Sequence, residues 1–345
     1  MTHPYSNLPA MAFWRAAVAE TAAEAVSDIY RPKFPLPADA TVATAGSCFA
    51  QHVGQALRRA GLDVLDAEPA PFGLAPDIAR KHGFDLYSGR YGNIYTARQM
   101  VQLLDEIGAG IPDPAHVWTR KNRFHDAFRP GLDPQGLDSI EEVLAIRNRH
   151  LARVGAMLRQ ADVFVFTLGL TEAWRCRDTG RVYPSCPGVI AGEYDPARHE
   201  FVNFRYPEVM QDLAEMRARL QDLNPQMRFV LTVSPVPLAA TATGGHVLPA
   251  TQWSKAVLRA AAGDFADAHA DVDYFPSYEI VTNPAAHGAF FAQGLRQVTA
   301  RGVATAMGAF LSAHGLVTKD APPEDALSDP DDVICEEALL EAFGK

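Results

Sequence analysis

The chain has 345 residues, of which 48% are hydrophobic and 21% charged, a composition typical of a globular protein with a sizeable core. Its formal net charge of -10 argues against nucleic acid or an anionic membrane surface as a partner. The sequence shows no basic segment followed by an apolar core at its start, and no apolar run of about 20 residues. We therefore expect neither a signal peptide nor a membrane span.

The four cysteines are too few for a disulfide framework, and they indicate a reducing, cytoplasmic location. Cys176 and Cys186 flank a turn and are spaced to meet across a hairpin. Because no second pair has the spacing of metal ligands, we expect no metal, and the sequence indicates no cofactor. The oligomeric state is left open.

Strand-like apolar runs alternate with amphipathic helical patterns along the chain. The predicted strands cover residues 40–46, 62–67, 162–169, 228–235 and 272–281. The predicted helices start at Cys48 and cover 96–108, 140–160, 207–222, 251–270 and 298–315, the last with Thr299 as its N-cap. This order predicts an α/β fold with three α/β/α layers and a doubly wound, mostly parallel sheet of the flavodoxin-like kind.

Three regions follow from the same pattern. Residues 1–39 form an N-terminal extension that packs on the domain, and residues 40–315 form the α/β domain. The polar, turn-rich segment 177–196 is a hairpin or lid-like insertion in that domain. Residues 316–345 form an acidic tail with one short helix over Glu336–Phe343.

Ligands of doubly wound sheets bind beyond the carboxyl ends of the strands. Ser47 ends the first predicted strand, in the stretch ATAGSCFAQH, and precedes a predicted helix. There it has two interpretations: a nucleophile whose oxyanion the helix start stabilises, or an ordinary helix N-cap. The neighbouring Cys48 is a second potential nucleophile, and we expect it to face the core.

The motif GSCFA at residues 46–50 resembles the GSCFA-domain family, which is similar to the SGNH (GDSL-like) hydrolases and acyltransferases. Later blocks extend the resemblance from about residue 40 to 305: YGNIYTARQM, FTLGLTEAW, LTVSPVPLAAT, HVLPATQWSKAVLR and YFPSYEIV. The resemblance implies a serine hydrolase or O-acyltransferase that acts on an ester through an acyl-Ser47 intermediate. Acetylated carbohydrates and lipids are the substrates it suggests.

The resemblance also implies an oxyanion hole. Gly92 and Asn93 occupy its second block, and Thr171 stands where the third block normally has asparagine. Each has a plainer interpretation. Gly92 is equally well a turn glycine, and Thr171 is equally well a helix N-cap with Glu172 in the first turn.

The base of the family is missing from its usual place. In FFAQGLRQ, Gly294 and Gln297 occupy the positions of the expected Asp and His. Glutamine is no general base near neutral pH, so another histidine is needed. His246, in a Gly-rich loop after a strand end, is the first candidate, although an exposed loop histidine fits it equally well. His287 is the second candidate.

Several further residues are candidates for substrate binding. His52 lies just over one helical turn beyond Ser47, where it contacts substrate or packs on the sheet. Asp126 and Arg129 have two interpretations: they bind an anionic group of the substrate, or they form an ion pair with each other. Lys255 is interpreted as a ligand of an anionic group or as a lysine on a helix surface. Glu172 lies at the end of the predicted strand 162–169, at the same edge of the sheet, and is a further candidate.

Two other classes of function remain open. The lack of the Asp and His favours a protein that binds a carbohydrate or acyl ligand in the same cleft without catalysis. The acidic tail favours a scaffold that acts through its C-terminus.

Overall fold

A computed structural model of the chain describes residues 3–26, 28–110, 112–316, 339–340 and 343–344. The strands are β1 Thr41–Gly46, β2 Asp63–Val64, β3 Val117–Arg120, β4 Arg123–Asp126, β5 Val163–Leu168, β6 Glu172–Cys176, β7 Val182–Tyr183, β8 His199–Asn203, β9 Arg228–Val233 and β10 Val272–Phe275. The α-helices are α1 Phe49–Arg59, α2 Pro76–Lys81, α3 Ala97–Ala109, α4 Ile140–Leu158, α5 Tyr206–Leu223, α6 Val247–Ala268, α7 Ser277–Val281 and α8 Ala300–Ala313.

A five-stranded sheet in the order β10-β9-β5-β1-β2 forms the centre, and all its strand pairs are parallel. Renumbered along the chain, the order is 2-1-3-4-5, which is the flavodoxin-like order. The prediction of a three-layer α/β/α fold is confirmed. The topological switch point, where such sheets bind ligands, lies between β1 and β5.

Alternate residues of the central strands enter two separate cores. Phe164 and Phe166 face one core, which α3, α4, α5 and α6 cover, whereas Val163 and Val165 face the other, which α1 and α8 cover. Both faces of β5 are buried, which explains why the strand reads as one continuous apolar run. From the N-terminal segment, Tyr30 and Phe34 pack into the second core.

Most predicted elements are present with ends shifted by a few residues, and Thr299 caps α8 by accepting a hydrogen bond from the N–H of Gly302. The strand predicted over 272–281 was wrong in its second half. It stops at Phe275, because Pro276 has no N–H for the sheet, and α7 follows. The sequence interpretation also missed α2 and the β3–β4 hairpin.

The segment after β5 builds a second, antiparallel sheet in the order β7-β6-β8. The β6–β7 pair contains the hairpin expected near residue 177, and Cys176 and Cys186 are free thiols. Most of the predicted Glu336–Phe343 helix lies outside the described residues. Within the described ranges, no helix is both long and apolar enough to cross a bilayer.

Candidate functional site

Ser47 lies in the connection between β1 and α1, at the switch point of the sheet. Its side chain is buried, and its N–H donates to the carbonyl of Thr167 at 3.0 Å, which extends the β1–β5 ladder by one residue. Among the described residues, its Oγ has no hydrogen-bond partner. Because a buried hydroxyl normally has such a partner, an uncommitted Oγ at this place marks a candidate reactive group.

Two glycines allow Ser47 to lie this close to β5. Gly46 has φ +139°, and a Cβ added there would stand 2.4 Å from the carbonyl oxygen of Thr167. A Cβ added to Gly169 would stand 2.9 Å from the Cβ of Ser47. Both positions therefore require glycine, and Gly169 is a direct neighbour of the Ser47 side chain.

The segment with Gly92 and Asn93 runs beside Ser47. The N–H of Ile94 donates to the carbonyl of Gly46 at 2.9 Å, and the N–H of Gly169 donates to the carbonyl of Tyr95 at 2.8 Å. The segment thus bridges the ends of β1 and β5. Gly92 has φ +68°, the turn conformation that glycine adopts readily.

A chain of hydrogen bonds fixes the orientation of the buried Asn93 side chain. Its Oδ1 accepts from the hydroxyl of Tyr87, and that hydroxyl accepts from Nε2 of Gln51 at 3.0 Å. Since the amide oxygen is committed to Tyr87, the amide nitrogen is the end that points away from it. The amide nitrogen is therefore the donor end of a side chain whose segment pairs, through Ile94, with the residue before Ser47.

Thr171 has both of its donors engaged. Its N–H donates to Ser254 Oγ at 3.0 Å, and its hydroxyl donates to Oδ1 of Asn203 at 2.7 Å. These bonds tie the β5–β6 turn to α6 and β8. Thr171 acts as an anchor here, which leaves Gly92 and Asn93 as the oxyanion candidates.

Lys255 belongs to the site by position. It is only 2% exposed, and its Nζ donates to the carbonyl of Gly169 at 2.5 Å. The interpretation of a surface lysine is wrong, since α6 packs this side chain against the end of β5. Consecutive α6 residues, Ser254 and Lys255, thus hold the turn that lines Ser47.

The histidines proposed as bases lie outside hydrogen-bond contact with Ser47. His246 is exposed and caps α6, its Nδ1 accepting from the N–H of Leu248 at 3.1 Å. The following Val247 packs near Tyr95 and Leu170, so this helix start lies over the carboxyl edge of the sheet as expected. His287 is exposed, with φ +46°.

Three other candidates serve other contacts. The His52 ring meets the Phe49 ring edge-on at 5.7 Å, and burial, with Arg80 and Arg59 nearby, lowers the pKa of its imidazole to about 4.

Asp126 and Arg129 form a buried ion pair of 2.7 Å. Although burial raises the pKa of the Asp126 carboxyl, Arg147 and Arg129 hold it well below its usual range.

Glu172 lies at the wall of a cavity of about 450 Å³. Its carboxylate accepts from the hydroxyl of Thr241 at 2.7 Å and from the N–H of Ala242 at 3.2 Å, and burial raises its pKa. The apolar lining includes Leu170, Ala173, Trp174, Tyr183, Phe201, Leu340 and Phe343. Leu170, the residue after Gly169, connects this lining to the β5–β6 turn beside Ser47.

The segment with Gly294 and Gln297 forms a tight turn. Phe291 pairs with Val298, and the N–H of Ala292 donates to the carbonyl of Gln297 at 2.8 Å. A Cβ added to Gly294 would meet no atom within 4 Å. Within the turn, Arg296 is 9% exposed and its Nε donates to the carbonyl of Pro237 at 3.3 Å.

Sequence reasoning missed the residues that support the site. Ser254 stands next to Lys255 in the block HVLPATQWSKAVLR, and that adjacency was the available signal. Tyr87 and Gln51 had no comparable signal, because nothing in the spacing shows that they meet over Asn93.

A comparison with models of protein families finds a match over residues 41–310 to the model described as GSCFA family. The match covers well over half of the chain and includes every element from β1 to most of α8. A search of curated proteins finds no match.

Proposed function

The chain belongs to the GSCFA family, and from its site geometry we propose that it transfers or hydrolyses an ester-linked acyl group through an acyl-Ser47 intermediate. The proposal follows the resemblance of this family to SGNH-like enzymes. In it, Ser47 Oγ attacks the ester carbonyl, the alcohol leaves, and the acyl group passes to water or to a hydroxyl acceptor.

The uncommitted Oγ of Ser47 carries the proposal. Ser47 is buried at the switch point, two residues before α1 begins at Phe49, and its Oγ has no hydrogen-bond partner among the described residues. The interpretation of Ser47 as the N-cap is wrong, because Cys48 occupies that position, and within the described residues the Ser47 hydroxyl accepts no bond from a helix N–H.

The developing oxyanion needs hydrogen-bond donors, and the family resemblance assigns them to the block with Gly92 and Asn93. In this proposal the donors are the N–H of Gly92 and the amide of Asn93, in the segment whose Ile94 pairs with Gly46. The N-terminus of α1 adds the positive end of its dipole.

The cavity beside Leu170 supports an ester with an apolar group as the substrate. Its volume of about 450 Å³ lies within the range of small-molecule sites, and its lining is largely aliphatic and aromatic. Glu172 and Thr241 supply a few polar contacts at one side, which suits an ester whose alcohol or acyl part carries hydroxyl groups.

The experiment is covalent labelling with a fluorophosphonate probe, together with turnover of p-nitrophenyl esters. We expect labelling of the wild type and of the matched control Cys48→Ala, and none of Ser47→Ala. Ester turnover in Ser47→Ala is expected to drop at least about 10³-fold. Equal labelling of the wild type and Ser47→Ala would overturn the proposal.

A second candidate function is binding of the same kind of ligand without catalysis. The absence of a histidine bonded to Ser47 Oγ, with Gly294 and Gln297 at the positions of the usual pair, favours it. An unlabelled wild type that still binds acylated ligands by calorimetry would establish this alternative.

A further inference from the structure

Lys255 is a buried lysine at the candidate site to which the proposed function gives no chemical task. We propose that Lys255 is the base that takes the proton of Ser47 and returns it to the leaving group. This inference rests on the proposed acyl transfer, and it names the group that replaces the missing histidine.

The histidines of the chain are accounted for elsewhere. All eleven lie within the described residues, and none bonds to Ser47 Oγ. The buried His116 and His150 contact Tyr183 and Glu68, and the half-buried His269 and His314 contact the carbonyl of Phe265 and the hydroxyl of Tyr30. His246 and His287 are exposed, whereas Ser47 is 2% exposed.

One residue, Gly169, connects Lys255 to Ser47. Its carbonyl accepts the bond from Lys255 Nζ at 2.5 Å, and its Cα is so close to Ser47 that an added Cβ would stand 2.9 Å from the Cβ of Ser47. Lys255 and Ser47 thus contact the same residue, and the proposal places Nζ and Oγ in contact through one bridging water, a route by which a general base acts.

The surroundings of Lys255 suit a base. Burial disfavours the charged form of an amine in general, and lysines in such places serve as general bases in enzymes. A neutral amine keeps an N–H for the carbonyl of Gly169 while its lone pair is directed elsewhere. The same hydrogen bond thus fixes the position of the base.

The proton balance of the reaction is complete with this residue. As Ser47 Oγ bonds to the carbonyl carbon, its proton passes to Lys255 Nζ, directly or through one water. When the ester C–O bond breaks, the ammonium gives that proton to the leaving alkoxide. In the second half, Nζ takes a proton from water or from the acceptor hydroxyl and returns it to Ser47 Oγ.

The test measures the second-order rate constant of fluorophosphonate labelling against pH in Lys255→Met, Lys255→Arg and Lys255→Ala. We expect a loss of about 10²–10⁴-fold in all three, as for removal of a general base. Adding ethylamine to Lys255→Ala should restore part of the rate, in proportion to the concentration of free amine. Lys81→Met, which removes an exposed lysine, is the control and should label at the wild-type rate.

Lys255→Arg separates a base from a purely structural cation. The guanidinium keeps a donor for the carbonyl of Gly169 but is not deprotonated in proteins, so this variant should fold and stay unreactive. A Lys255→Arg variant that labels at the wild-type rate would overturn the inference, as would a folded Lys255→Ala variant that ethylamine does not rescue.

The outcomes for the two proposals are distinguishable. If the wild type itself is not labelled at Ser47, the proposed function fails. If Ser47 is labelled equally fast in the wild type and in the folded Lys255→Met variant, the inference about Lys255 fails alone.

Discussion

Gly169 is the single residue on which most of the candidate site converges. Its N–H donates to the carbonyl of Tyr95, and its carbonyl accepts from Lys255 Nζ. Because it has no Cβ, Ser47 can pack directly against it. The sequence marked the position only as part of the block FTLGLTEAW. Its role depends on close approach in space, which a lone glycine in a sequence does not reveal.

Gly169→Ala should impair the reactivity of Ser47 more than the stability of the fold. The added Cβ would press on Ser47 Cβ at 2.9 Å and on Tyr95 Cδ1 at 3.0 Å, so Ser47 must shift. We expect the labelling rate to drop at least about 10-fold, since misplacement by about 1 Å costs up to about 10². Gly108→Ala in α3, where a Cβ meets no atom within 4 Å, is the control. Labelling of Gly169→Ala at the wild-type rate would contradict this close contact.

His52 should make folding stability depend on pH. The pKa of its imidazole is lowered to about 4 in the folded chain, mainly by burial, against 6.5 for an ordinary histidine. Between these values the unfolded chain holds the proton and the folded chain does not, so stability falls as the pH falls through this window.

The measurement compares urea midpoints at pH 7 and pH 4.5. The wild type should lose more stability between the two pH values than His52→Asn does. His287→Asn, at an exposed site, should behave like the wild type. An identical loss in the wild type and His52→Asn would show that folding does not lower the pKa of the His52 imidazole.

Among the elements, α6 matters most for the site, because two of its consecutive buried residues hold the β5–β6 turn. The apolar pattern of this helix was readable, although the predicted start at residue 251 came four residues later than Val247. Its N-terminal turn escaped notice because Pro249 and the Gly-rich loop before it are typical of irregular structure. His246 is the N-cap of that first turn, and an apolar periodicity does not indicate N-cap residues.

Ser254→Ala should destabilise the protein through this contact. Removing Oγ leaves the buried N–H of Thr171 without its acceptor, which costs about 1–3 kcal/mol. Ser312→Ala, an exposed position on α8, should change the free energy of unfolding by no more than about 0.5 kcal/mol. Chemical denaturation measures both values, and equal stability of the two variants would argue against the Ser254–Thr171 bond.

At the level of the whole molecule, alternation of strands and helices was enough to predict the fold. Buried runs such as VFVFTL at β5, alternating with helices long enough to cross over the sheet, favour parallel strands. The antiparallel β7-β6-β8 sheet was less predictable, because its strands are short and β7 has only two residues. Several residues that line the cavity belong to that sheet, and the sequence did not predict that they meet.

The C-terminal residues Leu340 and Phe343 should limit access to the cavity. Both line it beside Trp174, although the chain between 317 and 338 lies outside the described residues. Leu340→Ala combined with Phe343→Ala should raise the fluorescence of an apolar dye bound to the protein. Leu339→Ala is the matched control, since this half-exposed neighbour does not line the cavity. Equal dye fluorescence in the double variant and the control would contradict the contact.

The central claim is that Ser47 is a nucleophile, and peptide mapping of the fluorophosphonate adduct by mass spectrometry tests it most directly. We predict one adduct per chain, located on Ser47 and absent from the Ser47→Ala variant. An adduct at another residue, or an unmodified Ser47 peptide at saturating probe, would contradict the claim.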